Sequence, residues 1–392
     1  MQRSTAERIL TTLTGSLPRP EDLAAMHVAR ADGHQIDEAA FQARIRSAVV
    51  DAVAHQVDLG IDVVSDGELS KNGYIDYTRE RIAGFSGKMN ASGAFYFTDL
   101  EPVPELVEWG YKDIHMAIPT CDGPLRYIGE SQVQRDIGNF KAALQRHPAT
   151  EAFIPAASPG VVAMCSPNTY YGSYDEYLLA LAAALNAEYR AIAEAGFVLQ
   201  VDAPDLALGA DFHTWMWPEI ERRSFETISQ LHVEAINVAL QGVPRERARM
   251  HLCWANYFGP HRKDYPLREV LKAAFRANVG GISFEAANPA HAHEWELFED
   301  TAVPEGMTLI PGVIDTKTHV VEHPHAVAHR VRQWSQVVGA ENVIAGTDCG
   351  FGTFVGLGTV HPKVTWWKLQ ALAEGAALAS KPHSSRPGAA RT

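Results

Sequence analysis

One alternation restricts the fold more than any other feature of the chain. Eight short apolar runs occur, most of them followed by a segment with helical apolar spacing. The runs fall at 9–13, 62–64, 152–156, 197–201, 248–252, 281–284, 308–310 and 343–345, and helix-period segments at 36–59, 174–195, 218–240, 267–277, 291–298, 324–338 and 364–379. Repeated strand-then-helix units match an α/β chain folded as a (β/α)8 TIM barrel, which builds its active site at the carboxyl ends of the strands. The rival, a doubly wound open sheet, would carry a G-x-G-x-x-G turn after its first strand, and none stands there. Residues 1–380 therefore read as one barrel, with an insertion at about 85–146 between the second and third runs. In the insertion, Gly84-Phe85-Ser86-Gly87 reads as a turn, 91–97 as a hairpin and 130–145 as a helix; the whole is expected to gate the mouth. The tail 381–392 has no periodicity and reads as disordered.

Polar residues end these runs: Ser16, Glu68, Ser158, Asp202, His251, Cys253, Glu285, Asp315 and Cys349. In a barrel they converge on one mouth, and that convergence is the case for an enzyme. His251 and Cys253 are two residues apart, a spacing that puts both side chains on one face of a strand. Cys349 holds the matching place after the last run. One imidazole and two thiols at strand ends suit a soft borderline cation such as Zn²⁺.

Composition removes other classes. A net charge of −13 over 392 residues argues against nucleic acid or an anionic membrane as partner. No apolar run reaches the roughly 20 residues that span a bilayer. The opening Met-Gln-Arg-Ser-Thr-Ala-Glu-Arg lacks the apolar core of a signal peptide, and four cysteines do not make a disulfide framework, so the chain reads as cytoplasmic.

These residues together resemble the carboxy-terminal catalytic barrel of cobalamin-independent methionine synthase and its shorter relatives, including the zinc-dependent epoxyalkane:coenzyme M transferases. The resemblance rests on His251-Leu252-Cys253, Ser283-Phe284-Glu285 and Asp348-Cys349-Gly350. It rests also on Thr11-Thr12-Leu13-Thr14-Gly15-Ser16, Asp66-Gly67-Glu68, Gln200-Val201-Asp202-Ala203-Pro204 and Gly312-Val313-Ile314-Asp315. It implies that His251, Cys253, Glu285 and Cys349 hold Zn²⁺. It further implies that Thr14, Gly15 and Ser16 bind the carboxylate end of a thiol substrate, and Glu68 and Asp202 its ammonium. The likeness stops at two places. The aromatic residue that stacks folate after the third strand is replaced near Ala163-Met164-Cys165-Ser166, and the histidine after the G-V-x-D motif is Lys317. Both departures turn away from methyltetrahydrofolate as the donor.

The implied activity is thiol alkylation, with a small-molecule thiol and an alkyl donor as partners and a homo-oligomer left open. Methyl transfer to a homocysteine-like acceptor is the family default, and opening of an epoxide by a thiol cofactor is the alternative. A free thiol is mostly protonated at neutral pH, whereas one bound to Zn²⁺ is deprotonated outright. Two thiolates, a carboxylate and Zn²⁺ sum to −1, or −2 with the substrate thiolate, and that excess favours a nucleophilic sulfur over hydrolysis. Asp315, Lys317, Asp205 and His213 are the candidate acids for the leaving atom. A zinc-stabilised barrel without catalysis is the reading from another class. Cys121 and Cys165 read as packing residues, and the histidines 291, 293, 319, 323 and 325 as solvated ends. Trp215, Trp217, Trp254, Tyr257, Tyr170 and Tyr171 read equally as pocket lining or core wall, and Arg19, Lys71 and Arg79 as surface charge.

Overall fold

Aliphatic runs build the strands, and short polar caps start the helices between them. The computed structural model describes residues 1–91, 98–106, 116–208, 223–257, 259–355 and 360–380. The strands among these are β1 (Leu10–Thr11), β2 (Val63–Ser65), β3 (Ile82–Ala91), β4 (Met116–Tyr127), β5 (Glu151–Ala157), β6 (Val198–Asp202), β7 (Ala248–Leu252), β8 (Gly281–Phe284), β9 (Thr308–Ile314) and β10 (Ile344–Thr347). All but β3 and β4 form one sheet in the order β1-β10-β9-β8-β7-β6-β5-β2, every pair parallel. A parallel bridge between Thr12 and Val63 joins its two ends. The sheet is a (β/α)8 barrel, as the alternation of runs predicts. Strands β6 to β9 are buried along their whole length, which is why they read as nearly unbroken apolar runs.

The helices are α1 (Glu21–Ala31), α2 (Glu38–Asp58), α3 (Thr78–Arg81), α4 (Glu130–Arg146), α5 (Pro159–Cys165), α6 (Tyr174–Glu194), α7 (Phe225–Ala239), α8 (Leu267–Ala274), α9 (Pro324–Val338) and α10 (Pro362–Ala379). Serine and aspartate side chains cap several of them: Asp37 accepts from the Ala40 amide, Ser158 from Val161, Ser173 from Glu176 and Ser224 from Thr227. Three expectations change. Helix α1 precedes the one expected after the first strand; it buries only Leu23 and His27, so its apolar stripe is thin. The helix expected at 291–298 is a 3-10 stretch, Glu294–Glu299, its amides bonding three residues back (Glu294 to the His291 carbonyl, Glu296 to that of His293) while the His291 and Glu294 side chains pair with each other. Strand β9 runs on through Pro311 to Ile314, beyond the expected 310.

Between β2 and β5, strands β3 and β4 pair antiparallel and α4 follows. The expected turn at Gly84–Gly87 lies inside β3, where the register shifts twice. Gly84, at φ +101°, has no room for a side chain, since a Cβ would stand 2.8 Å from the Gly123 carbonyl. The segment is a bulge between two close chains, and the sequence signal for a turn is the same glycine signal. At its foot Arg81 is ion-paired with Asp136 and, at 3.1 Å, with Glu188, which also accepts from the Tyr127 hydroxyl at 2.9 Å. Most of the expected hairpin 91–97, His213, Trp215, Trp217 and the tail 381–392 lie outside the described residues. No helix among the described residues is long and apolar enough to cross a membrane.

Candidate metal centre and active site

Strand β7 directs His251 to the barrel mouth, Cys253 follows its last residue, and Cys349 lies two residues past β10. Ligand atoms of His251, Cys253 and Cys349 all lie within 4.8 Å of one another, and the side chains are buried. Among the described residues this is the only such group of three metal-type ligands. The two sulfurs are 3.5 Å apart and not bonded. Tetrahedral Zn²⁺ with Zn–S bonds of about 2.3 Å needs sulfurs roughly 3.8 Å apart, so little movement separates this arrangement from a bound state. The His251 Nδ1 is 3.2 Å from the Ser283 hydroxyl, while its buried Nε2 has no hydrogen-bond partner among the described residues. An orphaned imidazole nitrogen beside two thiols fits a cation. The two thiols are coupled: Cys349 and burial hold Cys253 well above its ordinary value, and Cys253 brings Cys349 down to about 6 despite burial. Burial works against an imidazolium at His251, yet the Cys349 sulfur raises it.

Asp348 fixes the Cys349 loop. It accepts from the amides of Ala286, Ala287 and Asn288, each at 2.8 Å. Burial, then the Glu285 charge, pushes it up to about 6.

Glu285, the fourth ligand that the resemblance implies, stands beside the sulfurs but is engaged elsewhere. Its Oε1 accepts from the Trp254 amide at 2.9 Å and lies 3.6 Å from the Cys253 sulfur. Its Oε2 accepts from Asn288 Nδ2 at 2.8 Å and is ion-paired with Lys317. Burial opposes the Glu285 carboxylate most, but Lys317 together with His291 and His261 holds Glu285 below its ordinary value. Lys317 rises in turn, burial being outweighed by Glu285 together with Asp348 and Cys253. Asp315 accepts from the Lys317 amide at 3.0 Å and the Thr318 hydroxyl at 2.7 Å. Asp205, another expected acid, lies in the wall: it accepts from the Ser158 hydroxyl and stands 2.9 Å from His232 Nδ1, whose Nε2 is 2.6 Å from the Tyr174 hydroxyl.

At the other side of the mouth, Thr14 is a staple. Its hydroxyl donates to the Thr347 carbonyl at 3.1 Å and its amide to the Thr347 hydroxyl at 3.0 Å. The Ser16 carbonyl accepts from Phe351 N at 2.8 Å, and its hydroxyl from Gly352 N at 3.3 Å. Glu68 sits in the left-handed region at φ 55°, a conformation that is costly for such a residue and concentrates at functional sites. Its buried Oε2 has no hydrogen-bond partner among the described residues; Lys71 Nζ is 3.6 Å away. Asp202 lies beside His251 in register and accepts from Gln200 Nε2 at 2.7 Å. Burial and the Glu68 charge push it up to about 7.

Four residues here were not among the expected site. Lys71, read as surface charge, is buried and donates to the Pro155 carbonyl at 2.6 Å. Arg249 donates to Gln200 Oε1 at 2.8 Å, Thr12 Oγ1 at 3.1 Å and the Leu13 carbonyl at 3.0 Å. The period-two logic applied to His251 and Cys253 reaches Arg249 as well. The Tyr74 ring packs tilted against Phe354, centroids 5.4 Å apart, and burial beside Cys165, Cys253, Cys349 and Asp202 raises its phenol well above the ordinary value. No sequence signal marked it. Arg19, also read as surface charge, is half-buried and ties the carbonyls of Glu68, Lys71 and Gly352 together. Trp254 is wall: its indole donates to the Tyr265 carbonyl at 2.7 Å.

A parallel barrel with an imidazole and two thiols gathered at its carboxyl-end mouth defines a class of protein, a barrel enzyme with a sulfur-rich centre. The family model described as the catalytic domain of cobalamin-independent synthase matches residues 9–102. The chain is 27% identical to a methionine synthase of Thermococcus kodakarensis, over 87% of this chain and 86% of the relative. It is 23% identical to a 2-hydroxypropyl-CoM lyase of Xanthobacter autotrophicus, over 94% of each. A B12-independent methionine synthase from Shewanella shares the fold at a TM-score of 0.68 and 20% identity, covering 95% of this chain and 97% of that one. A putative one from Listeria monocytogenes does so at 0.63 and 18%, covering 94% and 98%. The resemblance drawn from the motifs is borne out, and these similarities support a methionine synthase-like transferase.

Proposed function

We propose that the chain is a zinc-dependent thiol alkyltransferase that transfers a methyl group to a homocysteine-like thiol. The grouping of His251, Cys253 and Cys349 around one point carries this reading. Zn²⁺ held there would keep a bound thiol deprotonated at neutral pH. The chain's own residues do the rest. Glu68 offers a buried oxygen that has no hydrogen-bond partner among the described residues, and Asp202 a second carboxyl, to an ammonium group. The stapled turn Thr14-Gly15-Ser16 closes the pocket on the side of the Cys349 loop. The wall around Trp254 excludes water from the sulfurs.

A second reading, epoxide opening by a thiol cofactor with an anionic head, is favoured by one observation: buried Lys71 stands 3.6 Å from Glu68 and puts a cation at the head-group end. The test is zinc content and thiol alkylation of wild type and Cys253→Ala, pairing methyl-folate and a small epoxide with homocysteine and with coenzyme M. Loss of metal and of alkylation together in the variant is the expected result. A variant that keeps both overturns the proposal, and the preferred thiol separates the two readings.

A further inference from the structure

We infer that Lys317 holds Glu285 away from the cation, so that His251, Cys253 and Cys349 alone grip it and a fourth position is left for the thiol. This rests on the metal site proposed above and concerns the carboxylate that the family resemblance counts as a ligand. Both oxygens of Glu285 are committed. Oε1 accepts from the amide of Trp254, the residue after Cys253, and Oε2 from Asn288 and Lys317. Turning either oxygen to the sulfurs breaks one of these bonds. Releasing Oε2 also strands the Lys317 ammonium, whose side chain is only 7% exposed, and an uncompensated buried charge is among the costliest things a fold can hold.

The lysine is itself fixed. Asp315 accepts from its amide at 3.0 Å and donates its own amide to Glu322 at 2.8 Å, and Glu322 is paired with buried Lys368 at 3.0 Å. A chain of pairs running from α10 to the mouth thus sets where the Lys317 ammonium stands. The charge count changes with it. Two thiolates neutralise Zn²⁺, and Glu285 and Lys317 neutralise each other, so the incoming thiolate brings the centre to −1 where a four-ligand site without the lysine would reach −2. Lys317 is then a positioning residue and not the acid for the leaving atom.

Metal affinity, read by competition with a chromophoric chelator, tests this on purified chain loaded with Zn²⁺, and the visible absorption of the Co²⁺-loaded form reports ligand number. Wild type, Glu285→Gln, Lys317→Met, the double variant and Cys253→Ser are compared. Glu285→Gln is expected to weaken Zn²⁺ binding less than about 10-fold, the low end of what an outer-sphere partner contributes. Lys317→Met is expected to release Glu285 onto the metal and alter the Co²⁺ spectrum, and the double variant to restore the wild-type spectrum. Should Lys317→Met fail to fold, Glu285→Gln decides alone. A loss as large as that of Cys253→Ser makes Glu285 a ligand and overturns the inference. Failure of the site itself looks different: wild type and Cys253→Ser would then bind Zn²⁺ equally.

Discussion

Gly15 sets how closely the backbone approaches Glu68. At φ +150°, a Cβ there would stand 2.7 Å from Pro155 Cγ and 3.2 Å from Glu68 Oε1. Gly15→Ala should therefore displace the Glu68 carboxylate and leave the sulfurs alone. Steady-state kinetics should show KM for the thiol rising on the order of 10- to 100-fold, with zinc content unchanged. Asp202 gives a pH signature. Its ordinary pKa is about 3.9, and the fold lifts it to about 7. The folded chain therefore binds the proton more tightly, and this group's contribution to stability is lost as pH rises from about 4 to about 7. Urea unfolding of metal-free chain should find Asp202→Asn stabilised relative to wild type at pH 8, with the gap closing towards pH 4.5. At this scale the sequence was legible where position alone matters: the period-two spacing and the strand-end places of His251, Cys253 and Cys349 follow from the chain. What each polar atom is bonded to does not. Thr14, Asp205 and Lys317 bond to Thr347, His232 and Glu285, partners that come from other elements 27 to 333 residues away.

Elements repeat the pattern. Strands and long helices were readable because burial in a parallel barrel imposes unbroken apolar runs and a 3.6-residue stripe. Helix α1 was not, its buried stripe being too thin to read, nor were the bulge at Gly84 and the 3-10 stretch Glu294–Glu299, which contacts outside each segment decide. The foot of the β3–β4 ribbon is the sharpest case. Arg81, at the end of α3, pairs with Asp136 of α4 and Glu188 of α6, and its guanidinium lies 4.8 Å from the Tyr77 ring centroid. One side chain joins three helices to the ribbon. Arg81→Met leaves two buried carboxylates facing each other and should cost about 3–5 kcal/mol in chemical denaturation. The surviving folded fraction should keep its zinc, because none of these residues reaches the sulfurs.

Across the whole molecule, Arg249 connects the barrel's interior to its mouth. It lies two residues before His251 on the same face of β7, one layer deeper. From there it reaches β1 through the Leu13 carbonyl and Thr12 just beyond that strand, reaches β6 through Gln200, and covers the Phe153 ring of β5 at 3.5 Å. Burial drives the guanidinium down to about 9, with Glu151 and Asp202 only partly offsetting it, so it remains charged at neutral pH. Its bond to Gln200 Oε1 fixes which way that amide faces, and the same amide donates to Asp202 and to the Thr14 carbonyl. Two parts of the proposed thiol pocket, carried by different strands, are therefore oriented through one buried cation that touches neither the metal ligands nor any substrate. Arg249→Met keeps the volume and removes the orientation. It should raise KM for the thiol while leaving zinc affinity within a few-fold of wild type, the range of an outer-sphere change. A second substitution, Gln200→Leu, should raise KM to the same degree and add little when combined with Arg249→Met, because both act through a single amide. Additive losses in the double variant would mean that the arginine supports the barrel wall generally and does not govern the pocket through Gln200.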